Sequence, residues 1–387
     1  MMGGVKRLCF SVALACLLPF VSCSNSESCL EKSEEETAGD IAPDLEWTWV
    51  PYDSDVLRIS GRTNYEKGDF VILSWSSSMV TIAFEGTALE AKVWTNAVFY
   101  LDVFVDGEET PSSLIAYEYS GDEPSDVSVV SGLPYGKHLV TLYKRSESNF
   151  GDWYFYGLRV LGRADKELLP KAFERKIEFV GNSITCGSDV LMLDRDAETD
   201  PLYESAYYGY AGQTAWILGA EIHNICSGGH GLAINYDGSK SFLLPVVYEN
   251  TGTKWLSVVA WDHDKWHPDV VVINLGTNDF ASGMVDSTGF VNAAIDFVQR
   301  IRAYHPKAKI VILDGPMLVE ENMVKCRHFL DVAKATLESM GVDNLYRFSL
   351  EPKGESPNGI YYHPNREESL AHAESLSAWM RSKFGWN

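Results

Sequence analysis

The hydrophobic pattern of this chain changes its period part-way along. From Val56 to about Arg163, apolar and polar residues alternate in short runs such as Val80–Phe84, and turn signals such as Asp106-Gly107 separate these runs. From Lys176 onward, short apolar runs alternate with longer stretches of helical periodicity. The pattern predicts an antiparallel β-sandwich of jelly-roll size, followed by an α/β domain whose parallel sheet is covered by helices on both faces.

The first residues carry the pattern of an export signal. Lys6-Arg7 precede an apolar run, Leu8–Phe20, that is too short to span a bilayer comfortably. The following segment, Phe20-Val-Ser-Cys23, resembles the cleavage box of bacterial lipoproteins. We therefore expect a secreted bacterial lipoprotein, held through an acylated Cys23 at the outer membrane, the cell surface or in the periplasm. An ordinary cleaved signal peptide is the alternative.

A segment rich in Ser and Glu, Ser24–Pro43, follows this cysteine and contains few large apolar residues. Such a segment cannot bury enough surface to fold, so we expect a flexible acidic tether. The predicted organisation is a signal peptide at 1–22, the tether at 23–44, a jelly-roll domain at 45–163, a hinge at 164–175 and the catalytic α/β domain at 176–387.

Charge and cysteine spacing narrow the classes of function. The formal net charge of −22 repels nucleic acid and anionic membrane surfaces, so a neutral substrate suits the chain better. The cysteines show no CxxC spacing and no paired framework, so we expect neither a metal site nor a cofactor bound through them. Cys186 and Cys226 are expected to be small buried apolar residues near the ends of strands.

Three predicted strands of the α/β domain end in residues suited to one reaction. Ser183 follows the first strand, Gly229 follows the second within Cys226–Gly231, and Asn278 follows the third within Gly276–Asp279. Ligands bind at the carboxyl ends of parallel strands, and neighbouring strands lie about 4.8 Å apart. We expect the backbone N–H groups of Ser183 and Gly229 and the side-chain amide of Asn278 to form an oxyanion hole.

A histidine near the C-terminus completes the set. His267 and His305 come just before predicted strands, which places them at the opposite edge of the sheet. His363 comes after the last strand region and before the final helix, so we expect it to be the general base that takes the proton of Ser183. This arrangement is typical of a serine esterase. Two histidines near the second strand remain alternatives for the base: His223 and His230.

At these residues the chain resembles the SGNH, or GDSL-type, hydrolases. The resemblance rests on Gly181-Asn-Ser183, Gly228-Gly-His-Gly231, Gly276-Thr-Asn-Asp279 and His363-Pro364. Together with the preceding β-sandwich, the chain is similar to carbohydrate esterase family 2 over about residues 56–384. The resemblance implies a flavodoxin-like three-layer α/β/α fold and an acetylxylan esterase-like activity that needs no cofactor. The implied partner is an acetylated polysaccharide or oligosaccharide of the plant cell wall, of xylan or glucomannan type.

The chain departs from the family pattern at two positions. Asn182 stands where most relatives have aspartate, and we expect asparagine to make a similar turn. Ile360 stands three residues before His363, where many SGNH enzymes carry the aspartate that orients the histidine. The resemblance then implies a Ser183–His363 dyad, with a backbone carbonyl holding the imidazole. A carboxylate such as Asp237 or Asp264 on the imidazole would contradict this expectation.

Several interpretations stay open at this point. Asp279 is expected to cap the segment that follows it. Three tryptophans could either stack on sugar rings or pack in the core: Trp255, Trp261 and Trp266. Tyr361 and Tyr362 flank His363 and could form a wall of the pocket. Two functions compete with the carbohydrate esterase. One is an esterase acting on lipids or other small acyl esters. The other is a non-catalytic glycan-binding lipoprotein that retains the hydrolase fold as a scaffold.

Overall fold

The computed structural model describes residues 44–65, 68–193, 200–253, 258–281, 283, 285–318, 320–352 and 363–386. The predicted signal peptide and Cys23 lie outside the described residues, as does the tether up to residue 43. No helix in the described part of the chain is both long and apolar enough to cross a membrane.

The first domain is antiparallel, as its alternating pattern predicts. Its strands are β1 (Trp47–Pro51), β2 (Leu57–Ser60), β3 (Thr63–Asn64), β4 (Val71–Leu73), β5 (Met79–Trp94), β6 (Val98–Val105), β7 (Ser113–Glu118), β8 (Ser125–Val130), β9 (Gly136–Lys144) and β10 (Trp153–Ala164). The long strand β5 pairs with β9 through its first half and with β8 through its second half. It also pairs with β2 and β10, so this one strand takes part in four pairings. Its apolar residues, among them Phe84, Leu89 and Val93, lie in the sandwich core.

The second domain contains a parallel sheet of five strands with helices between them. The strands are β11 (Arg175–Gly181), β12 (Ala220–Cys226), β13 (Val270–Asn274), β14 (Lys309–Asp314) and β15 (Leu345–Ser349). The helices are α1 (Ser183–Cys186), α2 (Tyr210–Leu218), α3 (Leu244–Val247), α4 (Thr277–Ala281), α5 (Ser287–Tyr304), α6 (Glu320–Ser339) and α7 (Arg366–Phe384). The strand order β12-β11-β13-β14-β15 is the flavodoxin-like order, whose topological switch point lies between β11 and β13.

Two apolar clusters cover the faces of this sheet. One contains Phe290 and Phe297 of α5, and the other contains Tyr210 of α2 with Leu376 and Met380 of α7. The predicted architecture, an antiparallel sandwich followed by a three-layer α/β/α domain, is confirmed. Helix α7 begins with a capping box, formed by Asn365 and Glu368.

Helix α2 begins five residues later than its hydrophobic pattern suggests. The pattern predicts a helix from Ser205, whereas the structure begins it at Tyr210. The preceding residues bind the first domain instead, because the Ala206 N–H donates to the Arg145 carbonyl at 3.0 Å and the Tyr207 hydroxyl donates to the Glu109 carbonyl. Contacts between the domains therefore override the local helical preference.

A buried arginine of the first domain joins the two domains. Arg62 lies completely out of solvent and donates to the Glu178 carboxylate of β11 at 2.9 Å. Its guanidinium also lies 4.5 Å from the ring centre of Tyr248, whose hydroxyl donates to Glu178 at 2.7 Å. Burial is the largest single effect and would raise the pKa of Glu178, but the Arg62 guanidinium, the neighbouring histidines and the Tyr248 hydroxyl together lower it. The buried carboxylate is therefore ionised and paired.

Candidate active site

Ser183 lies at the carboxyl end of β11, where it is the first residue of α1. Asn182 caps this short helix, because its side-chain oxygen accepts the Ile184 N–H at 3.2 Å. The expectation that asparagine makes the required turn is confirmed. Gly181 cannot be replaced without rearrangement, since a Cβ at this position would lie 2.0 Å from the Thr185 hydroxyl. The strand end therefore fixes the position of the serine tightly.

The expected contact between Ser183 and His363 is present. The two side chains meet with the His363 Nε2 at 2.7 Å from the Ser183 Oγ. His363 is only 7% exposed and lies two residues before Asn365, the cap of α7. A hydrogen bond of this length can carry the serine proton to the imidazole. The two groups are 180 residues apart in the sequence.

The predicted dyad is wrong, because a carboxylate holds the imidazole. Asp189 lies 3.0 Å from the His363 Nδ1 through its Oδ2, and it is 3% exposed. It lies in the loop after α1, where Gly187 and Asp189 both adopt left-handed backbone angles, with φ of 78° and 55°. These two residues turn the chain back toward the histidine, and aspartate is one of the few residues that tolerate this conformation. Ser183, His363 and Asp189 therefore have the geometry of a catalytic triad.

The carboxylates named from the sequence have other positions. The Asp237 side chain accepts the backbone N–H of Ser239 at 2.9 Å, and Asp264 lies in a short 3₁₀ turn at His263–Lys265. Ile360 is outside the described residues. The residues just before His363 give no signal for Asp189. This acid lies near Ser183 in sequence, and only the fold brings it to the histidine.

The loops after β11, β12 and β13 meet, as their strand positions predict. The loop Ser227–Gly231, here called the oxyanion loop, begins with the Ser227 N–H donating to the Gly181 carbonyl at 3.2 Å. Gly229 within it has a φ of 76°, which favours glycine. Asn278 donates through its side-chain nitrogen to the His230 carbonyl at 2.7 Å. An amide nitrogen carries two N–H groups, so this bond leaves a second donor on Asn278.

Asp279 has a different partner from the one expected. Its buried carboxylate accepts three backbone N–H groups, those of Leu232, Ala233 and Ile234, at 2.7 to 3.0 Å. It therefore binds the segment that follows the oxyanion loop, a contact that the sequence pattern does not indicate. Burial raises the pKa of Asp279, although the three N–H groups oppose this. Its role is to hold that segment against α4.

Two cysteines expected to be unpaired form a disulfide. Cys186, the last residue of α1, is bonded to Cys226, the last residue of β12, with their Cα atoms 5.4 Å apart. The pairing is possible because β11 and β12 are neighbours and Gly181 lies opposite Cys226. The bond links the helix that carries the serine to the start of the oxyanion loop. Cys326 is buried and unpaired, and Cys29 lies outside the described residues.

The other histidines considered from the sequence have partners of their own. His305 is buried beside Glu178 at 3.8 Å and lies 3.4 Å from the ring of His267, and burial lowers the pKa of His305 to about 4. Burial likewise lowers the pKa of His223 to about 3. The His230 Nδ1 lies 2.8 Å from the hydroxyl of Ser227.

Two of the tryptophans weighed as sugar platforms are buried instead. Trp261 and Trp266 are each 8% exposed, and Trp266 stacks on the His223 ring with 3.6 Å between ring centres. Sugar stacking is therefore wrong for this pair. The remaining three aromatic residues, Trp255, Tyr361 and Tyr362, lie outside the described residues.

The fold and this site define a class, the SGNH-type carboxylic ester hydrolases. Residues 59–171 match the family described as carbohydrate esterase 2 N-terminal, and residues 179–368 match the GDSL-like lipase/acylhydrolase family. The solved structure of a family two carbohydrate esterase from Clostridium thermocellum, in complex with cellohexaose, is 32% identical with a TM-score of 0.80. It covers 86% of this chain, and this chain covers all of it. The chain belongs to carbohydrate esterase family 2.

Two curated relatives extend the comparison. The cellulase/esterase CelE of Acetivibrio thermocellus is 32% identical over 335 residues, which cover 86% of this chain but only 40% of that protein. The chain therefore spans less than half the length of this relative. An acetylxylan esterase / glucomannan deacetylase of Cellvibrio japonicus is 25% identical over 387 residues and matches 98% of this chain and 100% of its own length.

Proposed function

We propose that this protein is a serine carbohydrate O-acetylesterase that removes acetyl groups from plant cell-wall polysaccharide of the xylan or glucomannan type. The observation that carries the proposal is the continuous hydrogen-bonded series Ser183–His363–Asp189 at the carboxyl edge of the sheet, with distances of 2.7 and 3.0 Å. A buried triad at this position activates a serine hydroxyl for attack on an ester carbonyl.

In the proposed mechanism, the His363 Nε2 accepts the Ser183 proton as the Oγ attacks the acetyl carbonyl carbon. The Asp189 carboxylate stabilises the imidazolium that forms. The imidazolium then gives its proton to the sugar oxygen as the ester C–O bond breaks, which leaves acetyl-Ser183. Water, deprotonated by His363, attacks this acyl-enzyme and releases acetate.

The negative charge on the carbonyl oxygen needs donors that are already in place. We assign this role to the backbone N–H groups of Ser183 and Gly229 and to the second side-chain N–H of Asn278. Their loops follow adjacent strands and are bonded to one another by the contacts between Ser227 and Gly181 and between Asn278 and His230. One such donor is worth about a hundredfold to a thousandfold in rate.

Three observations support a carbohydrate substrate. The Cellvibrio relative is named for deacetylation of xylan and glucomannan, and the Clostridium structure holds cellohexaose. Tyr236 is 61% exposed, and its backbone N–H donates to the Gly229 carbonyl at 2.9 Å, so an exposed aromatic residue lies beside the oxyanion loop. Aromatic faces of this kind suit sugar rings. The strong negative charge of the chain also favours a neutral polysaccharide.

Acetate release from acetylated xylan and acetylated glucomannan, beside hydrolysis of p-nitrophenyl acetate, tests the proposal. Ser183→Ala should abolish all three activities, while Ser112→Ala, an exposed serine of the first domain, should not change them. Tyr236→Ala should raise KM for the polysaccharide and leave KM for p-nitrophenyl acetate unchanged. Activity on p-nitrophenyl acetate without polysaccharide deacetylation would favour an esterase for other acyl esters. Binding of cellohexaose without any hydrolysis would favour a non-catalytic glycan-binding protein.

We also propose that the protein is exported and anchored through a lipid on Cys23. The Cys186–Cys226 disulfide supports export, since such bonds persist in oxidising compartments. Cell fractionation of the wild type and of Cys23→Ala tests the anchor. The wild type should sediment with membranes and the variant should not. Equal partition of the two proteins would favour an ordinary cleaved signal peptide.

A further inference from the structure

A loop of the first domain enters the active site of the second. Strand β9 ends at Lys144, and residues Arg145–Asn149, here called the sandwich loop, run on toward the ends of β11 and β12. The Arg145 carbonyl accepts the Ala206 N–H at 3.0 Å, and Asn149 donates to the hydroxyl of Ser227 in the oxyanion loop at 2.8 Å. The β-sandwich is therefore in direct contact with the catalytic machinery proposed above.

Glu147 makes the central contact of this loop. Its carboxylate is 5% exposed, and its Oε2 accepts the backbone N–H of Gly228 at 2.7 Å and the Asn149 amide at 2.9 Å. A Cβ on Gly228 would lie 2.9 Å from the Glu147 Oε1, so the peptide passes close against the carboxylate. Gly228 immediately precedes Gly229, whose N–H is the proposed oxyanion donor.

The oxyanion loop is thus held from two sides. Glu147 binds the N–H before Gly229, and Asn278 binds the carbonyl of His230 just after it. A hydrogen bond from an N–H to a charged carboxylate is stronger than one between neutral groups. Since a peptide unit is planar, the bond to the Gly228 N–H fixes the plane of the peptide before Gly228, and only the two backbone torsions of Gly228 separate this plane from the Gly229 N–H.

A second buried carboxylate supports Glu147 and links it to the acid of the triad. Glu204 is 2% exposed, its Oε1 accepts the backbone N–H of Glu147, and its Oε2 accepts the Ser188 hydroxyl at 3.1 Å. Ser188 directly precedes Asp189. Burial, aided by the negative charge of Glu147, raises the pKa of Glu204 well above its ordinary value, so the pair need not carry two negative charges.

We propose that Glu147 is a positioning residue, through which the β-sandwich aims the Gly229 N–H at the carbonyl oxygen of the bound ester. This inference rests on the proposed esterase function and adds a residue from the other domain to its machinery. It predicts that the jelly-roll domain is required for the chemical step and not only for stability. Substrate binding in the ground state should depend little on Glu147, because an oxyanion hole acts mainly on the transition state.

Steady-state hydrolysis of p-nitrophenyl acetate by Glu147→Ala tests this role in the full chain. The kcat should fall by about tenfold to a hundredfold with KM nearly unchanged, because the Gly229 N–H would no longer point at the oxyanion. Glu147→Gln should recover part of the loss, because its amide oxygen can still accept the Gly228 N–H. In the double variant Glu147→Ala/Asn278→Ala, the fold-loss in kcat should be smaller than the product of the fold-losses of the two single variants, since both substitutions affect one oxyanion hole.

The matched control is Glu178→Gln, which alters another buried carboxylate, bonded to Arg62 and Tyr248. It should lower stability but leave the kcat of the folded protein within about twofold. If the kcat of Glu147→Ala is also within about twofold of the wild-type kcat, the inference is overturned and the esterase proposal stays intact. Absence of hydrolysis by the wild type would instead overturn the proposed function and the inference with it. Should Glu147→Ala not fold, the comparison of Glu147→Gln with Glu178→Gln decides in the same way.

Discussion

Replacing Asp189 by asparagine should remove most of the rate enhancement while leaving the protein folded. The carboxylate and the imidazole are 9% exposed or less and lie 3.0 Å apart. Charges whose centres are about 4 Å apart interact by about 4 kcal/mol at the effective dielectric of a protein site. If this interaction stabilises the imidazolium in the transition state only, its loss corresponds to about a thousandfold in kcat.

The asparagine also changes the proton arrangement. Its NH₂ group can donate to the His363 Nδ1, which would keep the histidine proton on Nε2, where the proton of Ser183 must go. Burst and steady-state kinetics with p-nitrophenyl acetate measure the effect on kcat and KM separately. Asp122→Asn, an exposed aspartate that accepts the Tyr119 hydroxyl in the first domain, is the matched control. A kcat for Asp189→Asn within about threefold of the wild type would contradict the triad and restore the dyad interpretation.

Three further predictions concern stability. Replacing both Cys186 and Cys226 by serine opens a 40-residue loop and should lower the free energy of unfolding by about 4 kcal/mol, as measured by urea denaturation. Reductant should lower the stability of the wild type by the same amount and should not change the stability of the variant. Arg62→Met leaves Glu178 buried without its cation and should cost about 3–5 kcal/mol; a loss below about 1 kcal/mol in urea denaturation would show that the pair is not needed to hold the two domains. The lowered pKa of His305, about 4 against an ordinary 6.5, means that the unfolded chain binds a proton between these values and the folded chain does not. The free energy of unfolding should therefore fall as pH falls from 6.5 toward 4, and more steeply in the wild type than in His305→Gln; equal slopes would contradict this assignment.

The strands and the positions of Ser183, Asn278 and His363 follow from local rules. A period-two pattern specifies an antiparallel strand, an alternation of apolar runs and helices specifies a parallel sheet, and the carboxyl ends of such strands meet at one edge. The contact between Ser183 and His363 could therefore be expected although the two residues are distant in sequence. Asn182 could be assigned as a turn residue because its side chain forms hydrogen bonds with the backbone close to it in sequence.

The acid of the triad and the disulfide depend on geometry that no local pattern shows. Asp189 reaches His363 only because two residues with left-handed backbone angles, Gly187 and Asp189, reverse the chain after α1. Cys186 meets Cys226 only through the register of two strands that are paired in space. The delayed start of α2 has the same origin, since contacts with the sandwich loop hold the residues before Tyr210. In each case tertiary contacts determine the local structure, and hydrophobic periodicity contains no information about these contacts.

The buried charges of the domain interface could not be assigned from composition either. Arg62 and Glu147 are both in polar stretches that are typical of exposed turns, yet each is at most 5% exposed. Their partners, Glu178 and the Gly228 N–H, belong to the other domain. A charged residue is almost never buried unless it is paired, and the pairing becomes visible only when both domains are in place.

The most direct test of the central claim is to trap the acyl-enzyme. The protein is mixed with p-nitrophenyl acetate, quenched in acid within the first turnover and digested for peptide mass spectrometry. We expect an acetyl group on Ser183 of the wild type and none in Ser183→Ala. An acetyl group on another residue, or full turnover by Ser183→Ala, would contradict this claim.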